Sequence, residues 1–148
     1  MYLWGIIAVL VMVFDQLSKL CINNFVNATD RIVFIPGVLD IVSVTNTGAA
    51  FSMLSNHTWI LGIVSIVFSI GIIVYMLKKK PQGKLIGISA GLLLGGAVGN
   101  GIDRVVRGYV IDFIETSFIE FPVFNIADIA ITVGAGLLIV AAMKSEKQ

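Results

Sequence analysis

Residues 85–102 read LIGISAGLLLGGAVGNGI, a stretch without a single charge in which Gly87, Gly91, Gly95 and Gly99 recur every four positions. A run this long and this apolar predicts a membrane-spanning helix, because about 20 mostly apolar residues cross a bilayer. Glycines at that spacing fall on one helix face and let a neighbouring backbone come close. A phosphate-cradling loop is the other use for such glycines. It fails here, since no strand precedes the run and no Lys-Ser or Lys-Thr pair closes it. The stripe is read as packing, and the chain as a helical bundle.

Three further apolar runs, residues 3–22, 59–77 and 126–143, have the same reach. With 57% hydrophobic and only 13% charged residues over 148 positions, and a mean hydropathy of +0.99, the composition excludes a soluble domain. The expected fold is an α-helical integral membrane protein, one domain over residues 1–148, with four transmembrane helices and a small extracytoplasmic β-sheet. The segments outside the membrane on the far side are then 23–58 and 103–125.

The net charge of +1 conceals an asymmetry. Lys78, Lys79, Lys80 and Lys84 crowd one short loop, and Lys144 and Lys147 the tail, so these regions are expected in the cytoplasm with both termini. Asp30, Asp40, Asp103, Asp112, Glu115, Glu120 and Asp128 lie in or at the ends of the other two connections. The lysine loop is an orientation signal. So short a patch, without interleaved aromatics, argues against nucleic-acid binding, while attraction to lipid headgroups is compatible with it. The first twenty residues lack a basic start and a small-residue cleavage site and carry Asp15 and Lys19, so they are read as a retained helix rather than a leader. Cys21 stands alone, outside any disulfide or ligand cluster, and is assigned to packing.

Between the first two spans, residues 31–35 and 38–44 are rich in Val and Ile and are parted by Pro36-Gly37, which predicts two short strands around a turn. Residues 109–114 and 118–124 have strand-like composition as well. Together they are expected to form a small sheet on the membrane surface.

Acids near hydrocarbon need a reason. Asn125 stands where strand-like sequence gives way to the last apolar run and reads as an N-cap, which puts Asp128 at the third helical position, where a carboxylate reaches back to free amides. Capping alone would explain Asp128. Asp112, between Ile111 and Phe113, is expected to lose water and shift its pKa upward, unless it simply faces outward from a half-buried strand. Taken together the two suggest more. If the chain folds Asp112 back over the fourth helix, two carboxylates can share one proton, as in an aspartic protease, with Asp128 the base for water and Asp112 the proton donor to a carbonyl.

Other chemistries fit less well. The one histidine, His57, has no ligand partners for a metal, so neither metal nor cofactor is expected. A serine mechanism on Ser52 or Ser55 would lack an acid to orient His57. Asp103 and Arg104 are expected to pair with polar neighbours such as Asn100, or Arg104 and Arg107 to anchor at the interface. Asp15 and Lys19 suit an acid-first pair four residues apart on one helix face. A small proton-coupled transporter or flippase is the alternative function, since intramembrane acids and glycine-rich helices also mark ion pathways. Both acids near one surface argue against it.

Four blocks carry a resemblance to a known family: Asp15-Gln16-Leu17-Ser18-Lys19, Asn46-Thr47-Gly48-Ala49-Ala50-Phe51-Ser52, residues 95–104 continuing to Asp112-Phe113, and Phe124-Asn125-Ile126-Ala127-Asp128. The chain resembles lipoprotein signal peptidase, or signal peptidase II, a bacterial inner-membrane aspartyl protease. The resemblance implies that Asp112 and Asp128 are the catalytic dyad. It implies also that Asn46, Gly48, Asn100, Asp103, Arg104 and Asn125 bind or support the substrate. The implied substrates are diacylglyceryl-modified prolipoproteins cut just before the lipidated cysteine, at the outer face of the membrane. Membrane lipids and globomycin-type inhibitors are the other implied partners, with no cofactor. Gly101 departs from the family's pattern, where a bulkier residue is expected, and is read as loosening the end of the third helix.

Overall fold

The computed structural model describes residues 3–48, 57–81 and 83–145. Ala49 to Ser52 of the second block, the serines 52 and 55, Gln82 and Lys147 lie outside the described residues. Among the described residues four helices are long and apolar enough to cross a membrane: α1 (Leu3–Phe25), α2 (Thr58–Lys79), α3 (Lys84–Val106) and α4 (Ile126–Ser145). Three strands, β1 (Ile32–Ile35), β2 (Leu39–Asn46) and β3 (Val110–Thr116), form one antiparallel sheet in the order β1-β2-β3.

The glycine-rich helix is the centre of the bundle, and α1, α2 and α4 all pack on it. Lipid tails are as apolar as leucine, so helices in a membrane associate through close packing and interhelical hydrogen bonds rather than hydrophobicity. At Gly95 an added Cβ would lie 2.7 Å from the carbonyl oxygen of Ala8 on α1, and at Gly96 it would lie 2.5 Å from that of Ala127 on α4. Successive glycines thus serve opposite neighbours. Ser89, fully buried, donates from Oγ to the carbonyl of Gly134 across the α3–α4 contact at 2.7 Å. The expected stripe holds at Gly91, Gly95 and Gly99, which face α1, whereas Gly87 has open space beside it. The outer faces keep large apolar side chains exposed, among them Leu10, Phe14, Val67 and Ile139, as a lipid-facing surface requires.

Helix α3 runs one turn further than residues 85–102 predict, so Asp103 and Arg104 lie within it rather than beyond it. Gly101 is buried, and a Cβ there would sit 3.2 Å from Cβ of Ser65. The missing side chain therefore makes room for α2, where the sequence reading saw a loosened helix end.

Strand β1 turns into β2 through Pro36 and Gly37, the latter at φ 70°. The segment 118–124, expected as a strand, is not one. Only Phe124 pairs, as an isolated bridge to Ile114. Pro122 has no N–H to give to a ladder, and before it the chain is bent by Thr116 Oγ1 donating to the carbonyl of Ile119 at 3.1 Å and the Ser117 N–H donating to that of Val38 at 3.0 Å.

Candidate active site

That single bridge positions the site. The N–H groups of Phe113 and Ile114 both donate to the carbonyl of Phe124, at 3.0 and 2.8 Å, and the Phe124 N–H returns to Ile114 at 3.0 Å. The residue before α4 is thereby bound to the middle of β3, which lays Asp112 over the helix start. Asn125 caps α4 as its position predicts. Its Oδ1 accepts the Asp128 N–H at 3.0 Å, and Asp128 Oδ2 accepts the Asn125 N–H at 3.1 Å, a reciprocal capping box.

Asn46, at the end of β2, pairs in register with Val110, so it shares a face with Asp112 diagonally across the ladder. Its Nδ2 donates to Asp112 Oδ2 at 2.8 Å, and its Oδ1 accepts the Gly48 N–H at 2.9 Å. Asn125 Nδ2 donates to Asp112 Oδ1 at 2.6 Å. From α3, Asn100 Nδ2 donates to Asp128 Oδ1 at 2.8 Å. Every oxygen of the two carboxyl groups therefore receives one N–H, three from asparagine amides and one from the backbone.

Each of the three amides is locked the right way round. A backbone N–H or an ammonium can only donate, so whichever amide atom faces it must be oxygen. Gly48 N sets Asn46, Asp128 N sets Asn125, and the Lys19 ammonium, 2.9 Å from Asn100 Oδ1, sets Asn100. The opposite end of each amide is then necessarily the NH2 that meets an acid.

Asp112 is 3% exposed and Asp128 half-buried. Loss of water pushes the Asp112 pKa from the usual 3.8 up to about 6; the Asn46 bond opposes that rise and the charge of Asp128 adds to it. Both acids line one cavity of about 570 Å3 with Asn46, Asn100 and Arg104, and its remaining wall is apolar, from Val110 and Phe121 through Thr132 to Val133. Arg104 reaches only the Gly48 carbonyl, at 3.5 Å, and its buried Nε has no partner among the described residues.

Behind Asn100 lies a second, closed centre. Lys19 is completely buried; its Nζ donates to Asn100 Oδ1 at 2.9 Å and forms ion pairs with Asp15 Oδ2 at 2.8 Å and Asp103 Oδ2 at 2.7 Å. Arg107 pairs with Asp103 Oδ1, Gln16 Nε2 donates to the same oxygen at 3.2 Å, and the Ala127 N–H donates to Asp15 Oδ1 at 3.0 Å. Asp103 thus belongs to this centre and does not line the cavity, and Asp15 and Lys19 form the expected pair on α1 and extend it into a link from α1 through α3 to the start of α4. Of the residues that the family resemblance implies for the site, Asp112, Asp128, Asn46, Asn100, Arg104 and Asn125 lie together in the structure, at or against one cavity. The sequence reading missed the connection of Lys19 to that site. Two charges buried mid-helix in an apolar segment were the available signal. Among the described residues no cluster of His, Cys, Asp and Glu is arranged to hold a metal.

Comparison with known proteins agrees along nearly the whole chain. A family model described as signal peptidase (SPase) II, Peptidase_A8, matches residues 7–144. The lipoprotein signal peptidase of Anoxybacillus flavithermus is 38% identical over 148 residues, covering 99% of this chain and 88% of that protein. That of Shouchella clausii is 42% identical over 135 residues, covering 90% and 88%. A bacterial membrane enzyme solved by the in meso method at 2.3 Å superposes with a TM-score of 0.91 at 37% identity, covering 97% of this chain and 88% of the other.

Proposed function

Since the chain belongs to the signal peptidase II family, and is therefore an aspartic endopeptidase that processes lipoproteins, we propose that Asp112 and Asp128 are its catalytic dyad. The observation that carries this is the provision of donors: four carboxylate oxygens in one cavity, each given one N–H and none an ion pair among the described residues. Neutral donors hold the groups in place without fixing their charge. Each oxygen keeps a second lone pair for a proton or a water.

Asp112, deeply buried and with a raised pKa, carries the shared proton. Asp128, nearer the open cavity, takes the proton of the attacking water. As the water's oxygen joins the scissile carbonyl carbon, Asp112 donates its proton to the carbonyl oxygen. Collapse of the tetrahedral intermediate then breaks the C–N bond, the amine leaving with a proton from Asp128 while one hydroxyl of the intermediate returns its proton to Asp112, which restores both acids. Arg104, which lines the cavity, binds a carbonyl of the substrate chain, and the apolar wall of the cavity takes the neighbouring small side chains and lipid.

The substrate class follows from the family: a prolipoprotein whose signal helix ends just before a diacylglyceryl-modified cysteine, cleaved on the N-terminal side of that residue. Helices α2 and α4 lie on α3 and share with it a second, apolar cavity of about 260 Å3, lined among others by Phe68, Ile72, Tyr75, Leu93 and Leu138. It lies towards the lysine-loop end of the bundle, away from the dyad, and its volume suits a few apolar side chains. The lysines support a cytoplasmic location for that end and both termini, and with it a dyad at the outer face of the inner membrane. A globomycin-type cyclic depsipeptide is expected to block the site.

The test is incubation of the purified protein with a diacylglyceryl-modified lipobox peptide, followed by identification of the fragments by mass. Cleavage just before the modified cysteine is expected, and Asp112→Asn or Asp128→Asn is expected to abolish it in a folded protein. Retained cleavage by either variant removes the dyad assignment.

A further inference from the structure

The closed centre behind Asn100 holds Asp15 and Asp103 against Lys19 and Arg107, two negative and two positive charges, and Lys19, Asp15 and Asp103 are without solvent exposure. Desolvating such ions costs several kcal/mol each, and well-packed apolar residues are often as stable in their place. Helix packing therefore gives no reason for an ammonium in the middle of an apolar helix. Its third contact gives one. Lys19 is the group that holds Asn100 Oδ1, at 2.9 Å, while the other end of that amide meets Asp128 Oδ1 at 2.8 Å. Asn125 Nδ2 also donates to Asn100 Oδ1, at 3.2 Å, while its shorter bond goes to Asp112 Oδ1 at 2.6 Å; beside the ammonium it is the longer and the uncharged donor. An amide rotated by half a turn would present its oxygen to the Asp128 carboxylate and its NH2 to the ammonium, repulsive at both ends. The cation makes that state inaccessible.

We infer that Lys19 is a positioning residue for the peptidase reaction: its ammonium fixes the Asn100 amide so that an N–H, never a carbonyl oxygen, meets Asp128. The inference rests on the dyad reading above and adds to it a residue that touches neither substrate nor water. It also separates the roles within the closed centre. Asp15 and Asp103 hold Lys19 in place, and Asp15 further anchors the first turn of α4 through the Ala127 N–H.

The experiment compares wild type, Lys19→Met and the double variant Lys19→Met/Asp15→Asn, measuring melting temperature in detergent together with kcat and KM on the diacylglyceryl lipobox peptide. Lys19→Met leaves the centre one negative charge in excess and is expected to melt earlier. The double variant restores the charge balance, and the asparagine still offers Oδ1 to Ala127, so its melting temperature is expected to recover. Its kcat is not: misplacement of one group at the reacting centre is expected to leave kcat roughly 100-fold low, with KM within about threefold of wild type. Recovery of kcat along with the melting temperature overturns the inference, because Lys19 would then act only on stability. A loss that lies in KM overturns it also, as does a double variant that does not assemble. Wild type that fails to cut the peptide refutes the dyad reading itself, a result distinct from all of these.

Discussion

On one side of Asn100 stand Asp15 and Asp103, and on the other Asp112 and Asp128; the two pairs are provisioned in opposite ways. The first pair is closed from solvent and neutralised by Lys19 and Arg107. The second is given only uncharged donors and opens on a cavity. A carboxylate that must stay ionised to hold helices together is served by cations. One that must gain and lose a proton is better served by amides, which position it and leave its charge free to change. On the proposed reading of the dyad, the same residue type near the membrane serves as cement at one centre and as catalyst at the other, and the two differ in their partners.

The largest test exchanges an oxygen for an NH2 at each centre. At the open centre, Asp128→Asn is expected to lower the cleavage rate by roughly 10^3- to 10^4-fold, the upper range for a positioned acid or base, with a fall in melting temperature smaller than at the closed centre, since the new NH2 meets one of two uncharged N–H donors. At the closed centre, Asp103→Asn leaves Lys19 and Arg107 short of a counter-charge, and a loss of about 3–5 kcal/mol of stability is expected. Melting curves in detergent and single-turnover cleavage separate the two. If both substitutions act mainly on the same observable, the division between the centres is wrong.

Next in size is a pH effect at Asp112. Its pKa is about 6 in the folded chain against an ordinary 3.8, so between those values the folded state keeps a proton that the unfolded state has released. Stability from this group is therefore full below pH 3.8 and declines as pH rises through 3.8 to about 6. Each unit of difference corresponds to about 1.4 kcal/mol. Asp112→Asn cannot ionise and escapes the decline. Its melting temperature relative to wild type is expected to be higher at about pH 7 than at about pH 4. An unchanged difference across that range would mean that burial does not strain Asp112.

The contrast between the centres was half legible in the sequence. Asp128 could be placed at the third position of α4 because Asn125 and the abrupt change in hydropathy mark a helix start, and capping is a local matter. The spans were legible for the same kind of reason, as was the turn at Pro36-Gly37. What depended on distant contacts was not. The single Phe124–Ile114 bridge that sets Asp112 over α4 has no local signature, and composition made residues 118–124 look like a whole strand. Lys19 looked like half of a pair on α1, since the spacing to Asp15 is visible in sequence and the 2.7 Å contact with Asp103 on α3 is not. Family resemblance supplied the residues of the open centre. It did not say how they are held.

The smallest test asks how far the closed centre's rigidity reaches along α3. A methyl at Gly99 would lie 2.6 Å from Asp15 Oδ2, an oxygen already held by Lys19 on a side chain tied to Ala127. A methyl at Gly101 would meet Cβ of Ser65 on α2 at 3.2 Å. Alanine improves helix propensity by about 1 kcal/mol at either position, so the neighbour's freedom to move decides the outcome. Asp15 has nowhere to go without breaking its ion pair, and Gly99→Ala is expected to cost about 1–3 kcal/mol, as overpacking does. Ser65 needs to give only a few tenths of an ångström, and Gly101→Ala is expected to leave the melting temperature within about 2 °C of wild type. Equal losses would mean that α2 is held as firmly as the ion cluster, and that the bundle, not the charges, makes this end of α3 rigid.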